Sequence, residues 1–517
     1  MSSAGCLLAA LAATFKLVWL LPVLPLLAAA AIALHSLINR RTADAQEPLV
    51  AGLASGAALG VLLLLLTFDL AALGNAPPGY LVVGEWMALE TVPVRLSFIL
   101  DKLSLPVATL VAFIAWLVLR FSCTYLHREP GFRRYFFAMS LFFAGMLLIV
   151  LAGNVVLTFV GWELCGLSSW MLIGYAWHRP QATANALFAF LTNRVGDAGF
   201  LLGIGLAVWL VGTTEWPGLA GDGSLPTVTV RLLAFGFVVA ALAKSAQLPF
   251  SPWIARALEG PTPSSAVFYG SLMVHAGVYL LLRLEPLLVQ VPDVMALIML
   301  VGLATALYGY LCALVQSDVK SALIFSTLTQ VGLMFLACGL GFFGLAAWHL
   351  ALHAAWRAYQ FLLAPSYMHL VAGAARPVPR WLAARPWLYT AAVQGFWIEP
   401  LARSLLARPT VALGRDMRSL DERVIDRLVG VPREDQADDV REVSADELIR
   451  GHGVAGRVLF QVADRLLRLE ARLLLSGSGA LQQHLRHAGK YMEALELMLE
   501  QPRYLMLMVM ATFVVIL

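Results

Sequence analysis

Charge is what this chain has least of. Only 13% of its 517 residues are Asp, Glu, Lys or Arg, against roughly a quarter in ordinary soluble chains. A water-soluble core cannot absorb the 60% of residues that are apolar. The five cysteines, Cys6, Cys123, Cys165, Cys312 and Cys338, are scattered without a CxxC pair or a Cys/His ligand spacing, so neither disulfides nor a metal site is expected. No nucleotide loop, dinucleotide fingerprint, nucleophile elbow or haem-ligand pattern occurs, and a formal charge of +4 is too small to suggest nucleic-acid binding. The N-terminal apolar run lacks the basic start of a signal peptide, continues to Ile38 and reads as a retained first helix.

What remains is apolar sequence in long runs. Clear stretches at 49–67, 103–119, 136–151, 232–242, 294–315 and 504–517 are built to lie in a hydrocarbon core of about 30 Å. With the segments that carry one or two interior polar groups they predict an all-α, polytopic transmembrane bundle of about twelve helices, eleven before residue 375 and one at the C-terminus. Residues 71–104 read as a short ordered outer loop. Basic residues gather in alternate loops (Arg40, Arg41; Arg120, Arg128, Arg133, Arg134; Arg179, Arg256, Lys320; Arg376, Arg380, Arg385), and Glu85, Glu90, Glu215, Asp222, Glu285 and Asp293 occupy the others. The positive-inside rule then places the N-terminus outside and 373–500 in the cytoplasm.

The expected divisions are 1–94, N-terminal helices and outer loop; 95–372, the main membrane domain; 373–500, a cytoplasmic or interfacial segment; and 501–517, a closing helix. Within the third, 415–450 is dense in charge and solvated. From 454 to 500, Val458, Leu459, Val462, Leu466, Leu467 and Leu469 recur at helical spacing among arginines. That pattern fits an amphipathic helix on the membrane or a partner, and equally one packed on its own loops.

Charges inside the apolar runs are the informative residues, because an ionised group at mid-bilayer costs about 2.5–3.5 kcal/mol even on insertion scales. Glu163 sits in the middle of VVLTFVGWELCGLSSWMLIGYAW. Lys244 follows an apolar run of about a dozen residues, and a Glu163–Lys244 pair would let the ammonium gain and lose a proton. Pro249 and Pro252 are expected to break the helix just beyond it, freeing the carbonyls of Ser245 and Leu248. His349, His353 and Arg357 recur every four residues on one helix face. The histidines suit a proton relay, with a metal pair or plain packing as alternatives, whereas the guanidinium stays charged and cannot pass a proton on. Lesser candidates are Asn193, Arg194 and Asp197, the last two spaced to pair with each other, His275, which equally suits a satisfied core histidine, and Lys320, which suits a snorkelling one.

The strings WELCGLSSWMLIGYAW, FLTNRVGDAGF, AKSAQLPFSPWIARALEGPTPSSA, DVKSALIFSTLTQVGLMFLA and HLALHAAWRAYQF occur in this order over residues 95–372. They resemble the antiporter-like proton-pumping membrane subunits of respiratory complex I and of multisubunit cation/proton antiporters. The resemblance implies that Glu163 is the glutamate beside the pumping lysine, Lys244 that lysine, Lys320 the central lysine, and His349 and His353 the pair leading to the exit path. Two departures stand out: Tyr269 replaces a histidine after GPTP, and Arg357 replaces a lysine after the histidine pair. The family also continues with further spans, whereas here the apolar block ends near Gly373, so the second inverted repeat is expected to be truncated.

A short antiporter-like subunit with a cytoplasmic extension further resembles the B-subunit family of the DAB inorganic-carbon accumulation systems, and GFWIEPLARSLL resembles the larger family's C-terminal segment. That resemblance implies H+ or Na+ conduction driving a DabA-like, zinc-containing, carbonic-anhydrase-like partner, possibly as a dimer of heterodimers. It implies no cofactor and no enzymatic step in this chain, the zinc lying in the partner. The alternative is a pumping or Na+/H+ antiporter subunit of a complex I-like or multisubunit antiporter assembly.

Overall fold

The computed structural model describes residues 14–39, 46–74, 77–89, 92–221, 225–370, 377–420 and 465. Contacts group the described chain up to Leu406 into one unit. In it, α1 (Leu20–Ile38) and α2 (Glu47–Gly74) precede a hairpin of β1 (Gly79–Leu89) and β2 (Val92–Leu100). Then come α3 (Ser104–Tyr125), α4 (Phe132–Leu151), α5 (Val155–Ile173), α6 (Pro180–Leu206), α7 (Thr227–Lys244) and the short α8 (Pro252–Arg256). The long α9 (Thr262–Arg283), α10 (Pro292–Ala313), α11 (Val319–Gly339) and α12 (Phe343–Leu370) follow, with α13 (Pro386–Val393) and α14 (Ile398–Ala402) after them. Helix α15 (Arg408–Leu420) belongs to the second unit.

Among the described residues ten helices are long and apolar enough to cross a membrane. The 28-residue α12 is long enough as well, though it carries the polar face of His349, His353 and Arg357. The protein is thus the polytopic helical bundle that its composition requires. The expected crossing at 504–517 and the amphipathic stretch at 454–500, apart from Arg465, lie outside the described residues.

The segment read as an outer loop is instead an antiparallel hairpin. Its second strand accounts for this: Val92 and Val94 turn inward around exposed Pro93, and Phe98, Ile99 and Leu100 are buried against the bundle. Asn154, the N-cap of α5, accepts from Leu157 N at 2.8 Å and donates Nδ2 to Ser97 Oγ and the Arg95 carbonyl, fastening the hairpin to the α4–α5 junction.

Burial orders the helices around two of them. The most apolar stretch of α9 is 100% buried and that of α4 94%, whereas α6, α2 and α10 leave more than half of theirs open. An open apolar face suits lipid or a neighbouring helix, so α4 and α9 are the bundle's core. The crossing of α6 and α7 depends on Gly199, where a Cβ would stand 2.8 Å from the Gly236 carbonyl oxygen. That approach sets the spacing of α6, which carries Arg194, and α7, which ends at Lys244.

Two irregularities interrupt the helices at polar residues. Helix α7 ends at Lys244, residues 245–251 are non-helical and α8 resumes at Pro252, as the two prolines predict. The Ser245 carbonyl is not free, however: Gln247 Nε2 donates to it at 3.0 Å, while Trp253 Nε1 takes the Ala243 carbonyl at 2.9 Å. In α9, Ala266–Ser271 form a π-turn one residue before the helix recovers at Met273, just upstream of His275.

Candidate functional site

Polar side chains inside the bundle form two clusters. The first is built on three residues of α5, Trp162, Glu163 and Gly166. Lys244 at the end of α7 is fully buried, and its Nζ donates to the Trp162 carbonyl at 3.0 Å and lies 5.0 Å from the indole centroid. The indole Nε1 of Trp162 in turn donates to Asp197 Oδ1 at 2.8 Å. Arg194 completes the cluster, with Nη1 2.5 Å from Glu163 Oε2 and Nη2 2.9 Å from Asp197 Oδ2, above the Phe190 ring at 4.6 Å.

The direct Glu163–Lys244 pair expected from sequence is therefore not formed. Among the described residues no carboxylate lies within 4.0 Å of Lys244, because Arg194 occupies Glu163. Magnitudes explain how the ammonium is tolerated. A charged hydrogen bond of about 1.5–3 kcal/mol and an indole contact of about 2 kcal/mol roughly offset the insertion cost of about 2.5–3.5 kcal/mol. Gly166 supplies the room, since a Cβ there would stand 3.1 Å from Arg194 Nη2 and 3.5 Å from Lys244 Nζ. Arg194 and Lys244 thus both border the space that a side chain at position 166 would fill. The predicted Arg194–Asp197 pair is present.

The second cluster joins α9, α11 and α12. His275 Nε2 and His353 Nδ1 are 2.9 Å apart, and Arg357 Nε donates to His353 Nε2 at 3.1 Å. Arg357 also donates to Ser326 Oγ and Gln360 Oε1, both at 2.7 Å, so its three nitrogens are all engaged. Proton positions follow from donor chemistry. A guanidinium only donates, so His353 Nε2 accepts, neutral His353 carries its hydrogen on Nδ1, and His275 Nε2 accepts that one. Neutral His275 then holds its own hydrogen on Nδ1. His349 stands aside from this chain: its Nε2 is 2.9 Å from Gln330 Oε1, and its ring is 6.0 Å from that of His353. The four-residue repeat brought His353 and Arg357 together but did not bond the two histidines of α12 to each other.

The remaining candidate, Lys320, is bonded into neither cluster. It is half-buried in the first turn of α11 and donates to Thr262 Oγ1 at 2.6 Å, the atom that also receives the Tyr125 hydroxyl at 3.0 Å. Tyr269, where the resembled family has histidine, bonds the Ala257 carbonyl and Ser265 Oγ, both at 2.7 Å, and so ties the π-turn to the segment after the broken helix. On that same side Arg256 and Arg403 share Glu399, which seats the 395–403 stretch on α8. Sequence reasoning missed Trp162 and the bridging position of Arg194. The first acts partly through a backbone carbonyl, which no side-chain pattern signals.

Comparison with known proteins gives these clusters a setting. Residues 152–375 match the family described as NADH:quinone oxidoreductase/Mrp antiporter, TM, and residues 86–136 match the NADH-ubiquinone oxidoreductase (complex I), chain 5 N-terminus. The chain is 38% identical over 360 residues to the chloroplastic NAD(P)H-quinone oxidoreductase subunit 5 of Nephroselmis olivacea, which covers 68% of this chain and 55% of that one. It is 37% identical over 354 residues to NADH-quinone oxidoreductase subunit L of Mycobacterium tuberculosis, with the same two coverages, 68% and 55%. The chain spans about half the length of the curated relatives it matches. Among solved structures, the Mrp complex from Dietzia sp. aligns with a TM-score of 0.58 at 32% identity, over 66% of this chain and 37% of that one. The archaeal membrane-bound sulfane sulfur reductase aligns at 0.59 and 18% identity, over 76% and 83%, a likeness of fold alone. The segments so matched hold both polar clusters, and they carry the antiporter-like membrane fold of complex I and Mrp subunits.

Proposed function

We propose that this chain conducts protons as an antiporter-like subunit of a larger membrane assembly of the complex I or Mrp kind. The observation that carries the reading is Lys244, a fully buried amine held by a carbonyl and an indole, with no carboxylate among the described residues bonded to it. An amine so placed can give up and regain a proton without breaking an ion pair, and Glu163 and Asp197, shared through Arg194, lie beside it to respond to its charge. In this reading Glu163, Asp197 and Lys244 form the switching cluster, His275, His353 and His349 the relay, and Arg357 the fixed charge that orients it. Lys320 stands at the mouth near Thr262. The setting is a bacterial inner membrane with the N-terminus outside and 373–500 cytoplasmic, and the chain itself carries no cofactor and no catalytic step.

The test is proton flux into vesicles holding the full chain with its co-purifying subunits, with and without Na+. Flux that falls on Lys244→Ala with the assembly intact supports the reading, and flux indifferent to that change sinks it.

A second reading adds a destination for the energy: inorganic-carbon accumulation through a zinc-containing, DabA-like, carbonic-anhydrase-like partner that hydrates CO2 to bicarbonate. It draws support from the GFWIEPLARSLL stretch, which docks through Glu399 onto Arg256 of the broken helix, a place from which movement at Lys244 could reach a cytoplasmic partner. Bicarbonate uptake in carbonic-anhydrase-deficient cells carrying this chain and its genomic neighbour separates the two readings. Uptake abolished by an uncoupler and by Lys244→Ala favours carbon accumulation; a properly assembled pair without uptake leaves the first reading alone.

A further inference from the structure

The stretch 395–403 touches three helices around the break that follows Lys244. Glu399 of α14 takes Arg256 of α8, with Oε1 2.5 Å from Nη2 and Oε2 accepting from Nε at 3.3 Å. Arg403 shares Oε1 at 3.2 Å and lies over the ring of Phe188 at 5.6 Å, on α6, the helix that carries Arg194. Phe396 meets Tyr308 of α10 edge to face at 6.1 Å. Tyr308 stands about one turn beyond Thr305, whose Oγ1 receives Leu248 N from inside the break at 3.0 Å.

The path from Glu399 to the buried amine is short. On α8, three residues before Arg256, Trp253 donates its indole N–H to the carbonyl of Ala243, the residue before Lys244, at 2.9 Å. A shift of α8 is therefore felt next to Lys244. Two features leave this arrangement less than fully relaxed. Gly395, Phe396 and Trp397 all take left-handed backbone, at φ +56°, +50° and +53°. In the last two a Cβ crowds the following carbonyl oxygen, so the contacts on either side must hold the turn. Within the break Gln247 is fully buried, yet its Oε1 has no hydrogen-bond partner, an acceptor left over for another arrangement of the same residues.

We propose that 395–403 is a positioning strap for Lys244, in which Glu399, acting through Arg256 and α8, sets how closely the break is shut around the amine. The inference rests on the proposed function for what the amine conducts; the coupling itself is a matter of packing. Asp197 and Arg194 on α6 and Glu163 and Cys165 on α5 face Lys244, while Arg256, Arg403 and Tyr308 face Glu399. Loosening the strap lets water nearer the amine and so favours its charged form. The linkage is reciprocal: a charged Lys244 favours the loosened strap, and a neutral side chain there favours the closed one.

The experiment has two readouts, both on the full chain with its co-purifying subunits in vesicles. The first is the pH profile of proton flux in Glu399→Gln and in Arg256→Gln, each of which removes one side of the pair. With melting temperatures showing that each is folded, the alkaline midpoint of flux is expected to rise by about half a pH unit or more in both. A role confined to stability lowers the melting temperature and leaves the midpoint in place. A smaller or downward shift in either folded variant overturns the strap; if one fails to fold, the other decides. The second readout is hydrogen exchange of the 395–403 amides in wild type and in Lys244→Ala. Exchange about threefold slower or more is expected in the variant, whose neutral side chain leaves the strap closed, whereas a mere cavity at that position would speed it. Equal or faster exchange overturns the strap. A wild type that conducts no protons overturns the proposed function and leaves the strap to the exchange measurement, whereas a conducting wild type whose variants keep its midpoint overturns the strap alone.

Discussion

Arg194 holds Glu163 at 2.5 Å, and this pairing, with Asp197 on the other side of the same guanidinium, is what leaves Lys244 without a bonded counter-ion. The arrangement predicts strong coupling. Glu163→Gln and Arg194→Gln each strand a charge, so each lowers the melting temperature, while the double variant loses less than the sum. A coupling energy of about 1–3 kcal/mol is expected from the four-variant cycle. Additive losses would mean the pair contributes nothing.

Trp162 serves both Lys244 and Asp197. Trp162→Phe keeps the backbone carbonyl that accepts from Lys244 but leaves Asp197 Oδ1 without its donor and weakens the contact of the ring with the ammonium. A loss of about 1–3 kcal/mol in stability and a lower proton flux are expected, read by thermal melting and vesicle assay. Full flux in a folded Trp162→Phe would remove the indole from the mechanism.

Gly199 and Gly205 lie on the same helix and make opposite predictions. A methyl at Gly199 meets the Gly236 carbonyl at 2.8 Å, whereas nothing lies within 4 Å of one at Gly205. Gly199→Ala should cost about 1–3 kcal/mol by forcing α6 and α7 apart, and Gly205→Ala should be neutral or stabilising. Equal melting temperatures would show that the helices do not approach this closely.

Asp101 ties stability to pH. Burial opposes its ionisation, but the Arg283 hydrogen bond and charge outweigh this and hold its carboxyl below the usual 3.8. A depressed carboxylate stabilises the fold above its unfolded value and loses that contribution as pH falls through the lower, folded one. Asp101→Asn keeps an oxygen to accept from Leu103 N and Ser104 N, so it isolates the charge pair. Its melting temperature should fall below wild type at pH 7, and the gap should close as pH drops below 3.8. A gap that persists at low pH would assign the loss to the cap instead.

Arg357→Lys tests what the guanidinium supplies. One ammonium cannot reproduce the planar set of bonds to His353, Ser326 and Gln360, so a folded variant should be less stable by about 1–3 kcal/mol and His353 should no longer be held as an acceptor. Melting, together with NMR of labelled histidine, reads both effects. An unchanged His353 spectrum would mean that Arg357 does not set its tautomer.

The bundle, the break after Lys244 and most of the polar residues were legible because each leaves a local mark: a long apolar run, a proline pair, a charge where charge is costly. The partners were not legible. Glu163 is a half-buried and Lys244 a fully buried ionisable group, and only the geometry of α5, α6 and α7 decides that Arg194 reaches the carboxylate first. His275 read equally well as a core residue until α9 and α12 were seen to face each other. The hairpin was missed because its strands carry glycine and proline and bury only the end of β2 continuously.

The bond from Arg357 to His353 has a kinetic consequence. Because that nitrogen is met by a donor, the hydrogens of the histidine pair all point one way, from Arg357 through His353 to His275. In the proposed relay, a proton once handed on cannot be resupplied by the arginine, so it has to come from another group. The pair would therefore act as a turnstile rather than a wire, with Arg357 closing one side of it.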